Sequence, residues 1–201
     1  MGERLYIYTM KKILFIVLFL LFAGIASAQK NQLSLDEHNK YVYYEVVDLP
    51  GISADSIHRN SNAFVEITYP KNKSRQISIT GILVKDKFLI YSPIAKHESG
   101  EIAYILNIEC KDSKYRYWLT DFVFTPYERN RYSVYVPVNG INIPLESAIT
   151  KVSQKELNGY LEQTSAFCTQ LGSRLKQYMV EDHHLIIPDK QPTKKIVTDK
   201  W

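Results

Sequence analysis

Candidate metal-binding residues are few in this sequence of 201 residues. His183 and His184, which follow Asp182, place two imidazoles beside a carboxylate. Adjacent residues on a helix point in different directions, and no second cluster at ligand spacing accompanies them. We favour a solvated helix end, where histidine also suits the negative end of the helix dipole. The sequence therefore predicts no metal site and no cofactor.

Candidate nucleophiles and acids are equally scarce. The chain after residue 28 contains no Gly-x-Ser-x-Gly motif and no phosphate-binding glycine loop. Cys110 and Cys168 occupy predicted core positions, where a thiol is inert. Asp121 is the one carboxylate in an unusual setting, on the apolar face of a predicted hairpin opposite Tyr104, and a hydrogen bond to that tyrosine explains it. We therefore assign no catalytic residue.

The first 28 residues have the three zones of a cleavable secretory signal peptide. Lys11 and Lys12 supply the positive end, Ile13 to Ala23 is an unbroken apolar run, and Ala26-Ser27-Ala28 is a small-residue cleavage site. Met10 is an alternative start. The run is shorter than the roughly 18 to 20 residues that span a bilayer, and a buried core helix is the competing interpretation. We expect an exported protein, periplasmic or extracellular, without a membrane span after cleavage.

Charge and cysteine content follow from that expectation. Cleavage would remove three basic residues and one acidic residue, which lowers the net charge from +4 to +2. This is too close to neutral for a nucleic-acid partner, for which a clearly basic domain is expected. In an oxidising compartment, Cys110 and Cys168 are a possible disulfide, and two buried free thiols are the alternative.

Patterns of hydrophobic residues predict the first strand and both helices. Tyr41–Asp48 alternates as a strand does. Ser53 is a good N-cap for a helix that closes near Tyr69. Ser153 opens the clearest helix of the chain, with Glu156 completing a capping box.

Two hairpins are predicted between these helices. The first runs through residues 75–84, a turn at Lys85-Asp86 and residues 87–94. The second pairs residues 101–111 with 114–124 around Asp112-Ser113. Together with the first strand and the helices, they give the order strand, helix, four antiparallel strands, helix. Such an α+β arrangement places two helices on one face of a sheet.

The second hairpin can be tested for register. A two-residue turn pairs Glu109 with Arg116 and Asn107 with Trp118 on one face. The opposite face is then continuously apolar, from the pairs Cys110 with Tyr115, Ile108 with Tyr117 and Leu106 with Leu119. A slip of one residue would spoil both the charge pairing and the apolar face.

This hairpin also resembles a known family. The segment Tyr104–Phe122 reads Tyr-x-Leu-x-Ile-Glu-Cys-Lys-Asp-Ser-Lys-Tyr-Arg-Tyr-x-Leu-Thr-Asp-Phe. It is similar to the signature hairpin of the domain of unknown function 4468 family, secreted proteins of Gram-negative bacteria, although Ser113 stands where glycine is common. The resemblance spans about residues 43–124. It implies a TBP-like α+β fold, which agrees with the derived element order, and implies no activity and no site residues.

The chain divides into a small number of regions. These are the signal peptide 1–28, the TBP-like sheet with its first helix 40–125, a proline-rich connection 126–152, the last helix 153–181 and a loose tail 182–201. Prolines in the connection favour an edge strand or a packed loop over a central strand.

The sheet face away from the helices is the predicted binding surface. The derived registers place eight residues there: Tyr43, Ile82, Leu89, Tyr91, Glu109, Arg116, Trp118 and Phe122. Aromatic patches of this size usually bind something. The alternative is that residues 126–145 fold back and cover them.

Three hypotheses about function follow. The first is a non-enzymatic binding module that takes a protein, peptide or envelope component on this aromatic sheet face. The second is an envelope hydrolase or other enzyme with an unrecognised site, which a cleft containing perturbed titratable groups would favour. The third is self-association through the last helix or the sheet edge.

Overall fold

The computed structural model describes residues 33–79 and 81–180. These residues form eight strands and two α-helices. In chain order the elements are β1 (Ser34–Leu35), β2 (Tyr41–Asp48), α1 (Ala54–Thr68), β3 (Arg75–Ile77), β4 (Gly81–Tyr91), β5 (Glu98–Lys111), β6 (Lys114–Arg129), β7 (Tyr135–Pro137), β8 (Ile143–Pro144), a 3₁₀ helix (Leu145–Thr150) and α2 (Gln154–Val180). Neither α1 nor α2 is long and apolar enough to cross a membrane. The predicted signal peptide, His183-His184 and the tail lie outside the described residues.

The sheet is antiparallel and organised around the 16-residue strand β6. Its strand order is β1-β2-β6-β5-β4-β3. One side of β6 pairs with β5 over almost its whole length. The other side is shared by three partners in succession, β2 at Lys114–Leu119, β8 at Val123–Phe124 and β7 at Tyr127–Arg129.

Both predicted helix starts are confirmed. Ser53 Oγ accepts the Ser56 backbone N–H at 3.3 Å ahead of α1. Ser153 and Glu156 form the reciprocal capping box ahead of α2, because each side chain accepts the other residue's backbone N–H, at 3.3 and 3.1 Å.

The second hairpin has the predicted register. Glu109 pairs with Arg116, Asn107 with Trp118 and Ile108 with Tyr117. Its strands are longer than predicted, and a β-bulge interrupts them, since the pairing jumps from Ile105–Thr120 to Ala103–Val123. Asp121 lies in this bulge with a left-handed φ of 52°.

The predicted turn of the first hairpin is wrong. Lys85 and Asp86 lie inside β4, and the chain turns instead at Ser78–Gly81, where Ser78 N donates to Gly81 O at 2.8 Å. Gly81 suits this position, because a Cβ there would come within 2.9 Å of Ile108 O. The shift lengthens β4 to 11 residues and moves Ile82 to the buried face, where it is 2% exposed.

Both helices cover the same face of the sheet and build one core with it. Ser61 Oγ of α1 lies 3.5 Å from Cys110 Sγ of β5. Phe167 of α2 stacks on Phe88 of β4 with ring centroids 4.0 Å apart. The order strand, helix, four antiparallel strands, helix is therefore confirmed, with β1, β7 and β8 as short additions. We refer to the opposite side of the sheet as the outer face.

The proline-rich connection extends the sheet sideways. β7 and β8 pair edge to edge with the second half of β6, and Pro137 and Pro144 sit in these short edge strands. Tyr44 and Val46 on the outer face remain 53% and 50% exposed. The alternative in which this connection covers the outer face is therefore wrong for these positions.

Candidate functional site

An aromatic patch, exposed at Tyr44, Val46 and Arg116 and half-buried at Trp118, lies on the outer face where β2 meets β6. Two rows of paired residues cross the strands there, Tyr44–Trp118–Asn107 and Val46–Arg116–Glu109. We define the aromatic patch as Tyr44, Val46, Arg116 and Trp118. Because paired residues in antiparallel strands project to the same side, these four side chains form one continuous surface.

Arg116 organises the aromatic patch. Its guanidinium lies over the Trp118 ring, 5.3 Å from the ring centroid. Its Nε donates to Glu109 Oε2 at 2.8 Å. Hydrogen bonds to Glu109 and Tyr44 raise the pKa of Arg116 above its ordinary value. These contacts hold the guanidinium of Arg116 over the ring of Trp118.

The prediction that Tyr43 lies on the outer face is wrong. Tyr43 is 4% exposed on the helix side, and Tyr44 takes the outer position. The two faces of β2 are both partly apolar, so alternation alone left the choice open. The buried face includes Glu45, whose partner Lys176 is 131 residues away in sequence.

The outer position predicted for Phe122 is also wrong. The bulge at Asp121 inserts an extra residue, which reverses the alternation of β6 beyond that point. Phe122 therefore joins the core and is fully buried. The predicted pairing of Asp121 with Tyr104 fails for the same reason, and Asp121 instead forms an ion pair with Lys40.

Tyr91 is exposed, as predicted, but it does not belong to the aromatic patch. The residue of β4 that lies in the same cross-strand row as Trp118 is Leu83. Tyr91 lies eight residues beyond Leu83, a distance of about 27 Å along the strand. Its backbone N–H and C=O are bound by the side-chain amide of Gln163 on α2, both at 2.9 Å. Of the eight predicted residues, the structure thus brings together Glu109, Arg116 and Trp118.

A polar cluster that the sequence did not single out lies under α2. Glu45 accepts hydrogen bonds from Tyr117 Oη and, at 2.8 Å, from Lys176 Nζ. Burial opposes ionisation of Glu45, but the bonds from Lys176 and Tyr117 outweigh it and hold its pKa below the ordinary 4.5. Burial and the bond to Glu45 raise the pKa of Tyr117. This cluster joins α2 to the sheet.

Lys176 also belongs to a Ser-x-x-Lys spacing with Ser173, a pattern found in some serine enzymes. Ser173 Oγ donates instead to Thr169 O at 2.9 Å, and Lys176 Nζ is bound to Glu45. The geometry therefore gives no serine nucleophile with a neighbouring base.

An open groove of about 890 Å³ lies beside the carboxyl end of α1. Its apolar outer-face residues are Ala103, Ile105 and Val123, and its lysines are Lys71, Lys85 and Lys87. The α1–β3 connection forms one wall and is fixed to β4 by Asn72 Nδ2, which donates to Lys85 O at 2.6 Å.

The titratable groups at the inner end of this groove are tyrosines. Tyr69 and Tyr104 share a 3.1 Å hydrogen bond between their hydroxyls. Burial raises the pKa of Tyr69 to about 12 and raises that of Tyr104 further. Both hydroxyls therefore stay protonated near neutral pH, which suits a core contact better than a general base. Among the described residues, no three His, Cys, Asp or Glu side chains gather to hold a metal ion.

The possible disulfide between Cys110 and Cys168 is not formed. Both are buried free thiols. Cys110 lies on β5 against α1, with its Sγ 3.5 Å from Ser61 Oγ, and Cys168 lies on α2. Burial raises the pKa of both thiols, so neither is reactive.

Comparison with known proteins agrees on the fold. A comparison with curated proteins finds no match. A TBP-like protein of Parabacteroides distasonis ATCC 8503 is similar in structure, with a TM-score of 0.59, 17% identity and coverage of 73% of this chain and 96% of that one. A DUF4468 family protein of Bacteroides ovatus ATCC 8483 has a TM-score of 0.52 and 12% identity, over 77% of this chain and 96% of that one. Residues 43–125 match the family model described as "Domain of unknown function (DUF4468) with TBP-like fold", in agreement with the resemblance of the second hairpin.

Proposed function

We propose that this protein is an exported binding module that holds a polypeptide partner on the aromatic patch of its outer face. The observation that carries the proposal is the prearranged stack of Arg116 on Trp118, beside the exposed Tyr44. Tryptophan, tyrosine and arginine are the residues most enriched at the energetic centres of protein interfaces. Val46 adds apolar area, and the ion pair of Arg116 with Glu109 supplies a polar rim.

The geometry favours binding over catalysis. Catalysis needs a nucleophile or base within reach of a second, orienting group. In the described part of the chain, the strongly perturbed groups are buried tyrosines and thiols that are kept protonated. The aromatic patch, by contrast, is open and preorganised, which lowers the entropic cost of association.

The test compares a variant that removes the aromatic patch with a variant that removes an exposed tyrosine elsewhere. In Tyr44→Ala/Trp118→Ala the aromatic patch is lost, whereas Tyr91→Ala removes a tyrosine that is 48% exposed elsewhere. Wild type and both variants are immobilised and exposed to the exported protein fraction of the parent bacterium. The retained proteins are identified and purified, and each is titrated calorimetrically against all three forms.

We expect one purified protein to bind wild type and Tyr91→Ala alike, and to bind the patch variant at least about a hundredfold more weakly, as loss of two hot-spot residues implies. Equal binding of every retained protein to all three forms would overturn the proposal, and so would retention of no protein by wild type.

A further inference from the structure

The groove beside the aromatic patch indicates the chemistry of the partner. On the outer face, Lys85 pairs across the strands with Ile105, and Lys87 pairs with Ala103, which in turn pairs with Val123. Two lysines therefore stand beside an apolar floor formed by Ala103, Ile105 and Val123, and Lys71 in the α1–β3 connection adds a third positive charge. The aromatic patch adjoins this floor. Thr120 follows Trp118 on the outer face of β6 and pairs with Ile105, which belongs to the floor.

The charges of the groove are not balanced by its own acids. Lys87 is paired with Glu101 at 2.8 Å, and Asp121 is paired with Lys40. Lys71 and Lys85 are exposed and make no ion pair with the described residues. Asp86 also lines the groove, where its charge offsets one of these two lysines. The groove therefore presents one positive charge in excess of its acids, beside an apolar floor.

The spacing of the lysines fits an extended chain. Lys85 and Lys87 are alternate residues of one strand, so their side chains emerge on one face about 6.7 Å apart. Alternate side chains of an extended peptide have the same spacing. A peptide lying along β4 would place carboxylates at alternate positions against Lys85 and against Lys87, which would exchange its Glu101 partner for the peptide. The intervening apolar residues would face Ala103, Ile105 and Val123.

We propose that the groove binds an extended, acidic polypeptide segment in which carboxylates alternate with apolar residues. This inference rests on the proposed function, because it assigns the partner's chemistry on the same face. The competing role of the lysines is protective, since β4 lies near the edge of the sheet, where lysine discourages pairing between molecules. The two roles differ in what replacement of the lysines does to binding.

The experiment uses fluorescence anisotropy with defined probes. One short labelled peptide alternates glutamate with valine, a second alternates lysine with valine, and polygalacturonate is the acidic polysaccharide competitor. The variant Lys71→Gln/Lys85→Gln removes two charges from the groove. Its matched control, Lys151→Gln/Lys155→Gln, removes two exposed lysines around the start of α2.

We expect the glutamate peptide to bind at least about tenfold more tightly than the lysine peptide, with affinity falling as salt rises. The groove variant should lose about tenfold in affinity while the control does not. Equal binding of both peptides, or unchanged binding by the groove variant, would overturn this inference. Competition by polygalacturonate at matched charge concentration would assign the groove to a polysaccharide instead and overturn it as well.

The two proposals fail separately. If the partner captured through Tyr44 and Trp118 binds equally well to the groove variant, the aromatic patch stands and the acidic segment is wrong. If the glutamate peptide depends on Lys71 and Lys85 but no captured protein depends on the aromatic patch, the groove stands and the proposed function is wrong.

Discussion

At the scale of single residues, the contact between α2 and the sheet depends on a glycine. The Tyr117 hydroxyl approaches α2 at Gly172, and a Cβ at that position would overlap it. The same hydroxyl donates to Glu45, which in turn binds Lys176 one helical turn further on. The position of α2, the Tyr117 side chain and the Glu45 carboxylate therefore depend on one another.

Replacement of Gly172 tests this contact. Gly172→Ala gains helix propensity of about 1 kcal/mol. We nevertheless expect a net loss of about 1–3 kcal/mol in the free energy of unfolding, because the methyl group overlaps a fully buried tyrosine. Urea unfolding measures the change, with Ser173→Ala as the neighbouring control. A higher free energy of unfolding for Gly172→Ala would show that α2 does not pack closely against Tyr117 at this position.

Glu45 makes part of the stability depend on pH. Its pKa in the folded protein lies below the ordinary 4.5, so the unfolded chain binds more protons in acid. Its contribution is fully present above about pH 4.5 and is lost as the pH falls through the folded pKa. We expect Glu45→Gln to flatten the decline of stability in acid, measured by urea unfolding across pH, relative to the exposed-site control Glu66→Gln. The same acid dependence in both variants would refute this role.

At the scale of elements, the sequence predicted the second hairpin well and the first poorly, for physical reasons. The second carries an opposite-charge pair, Glu109 with Arg116, on one face and an apolar row on the other, so only one register satisfies both. In the first hairpin, the polar pair Lys85-Asp86 has the composition of a turn, although it lies inside β4. The true signals were Gly81 and the alternation of Ile82, Val84, Phe88 and Ile90 on the helix-side face, which only Asp86 interrupts.

The site was only partly predictable for related reasons. Arg116 and Trp118 lie in the well-defined half of the hairpin, before the bulge, and both were placed correctly on the outer face. Phe122 lies beyond the bulge, which local alternation cannot reveal. The outer position of Tyr44 was not predicted, because the charge of Glu45 suggested that the helix-side face of β2 was exposed to solvent.

The bulge itself can be tested at Asp121. Aspartate and asparagine tolerate its left-handed φ of 52°, whereas a β-branched residue does not. We expect Asp121→Val to lower the free energy of unfolding by about 1–2 kcal/mol more than Asp121→Asn, since both lose the ion pair with Lys40 and only valine adds strain. Equal destabilisation in urea would mean that the backbone at this position is not left-handed.

At the scale of the whole molecule, one core of the described residues lies between two helices and one face of the sheet, and the opposite face carries the aromatic patch. The core is complete without a covalent link, since Cys110 and Cys168 are separate buried thiols. We expect protein purified from an oxidising compartment to bind two alkylating groups after denaturation and essentially none when native. A mass that shows an intramolecular disulfide would contradict this arrangement of α1 and α2.

The most direct measurement of the central claim uses Trp118 as its own reporter. The chain has two tryptophans, so Trp201→Phe leaves Trp118 as the only one. The partner identified by calorimetry, or a form of it without tryptophan, is titrated into this variant while Trp118 emission and its quenching by acrylamide are followed. We predict a saturable change in emission and protection from acrylamide, at the affinity that calorimetry gives. Calorimetric binding with unchanged Trp118 emission and quenching would show that the partner binds elsewhere, and the aromatic patch would not be the binding site.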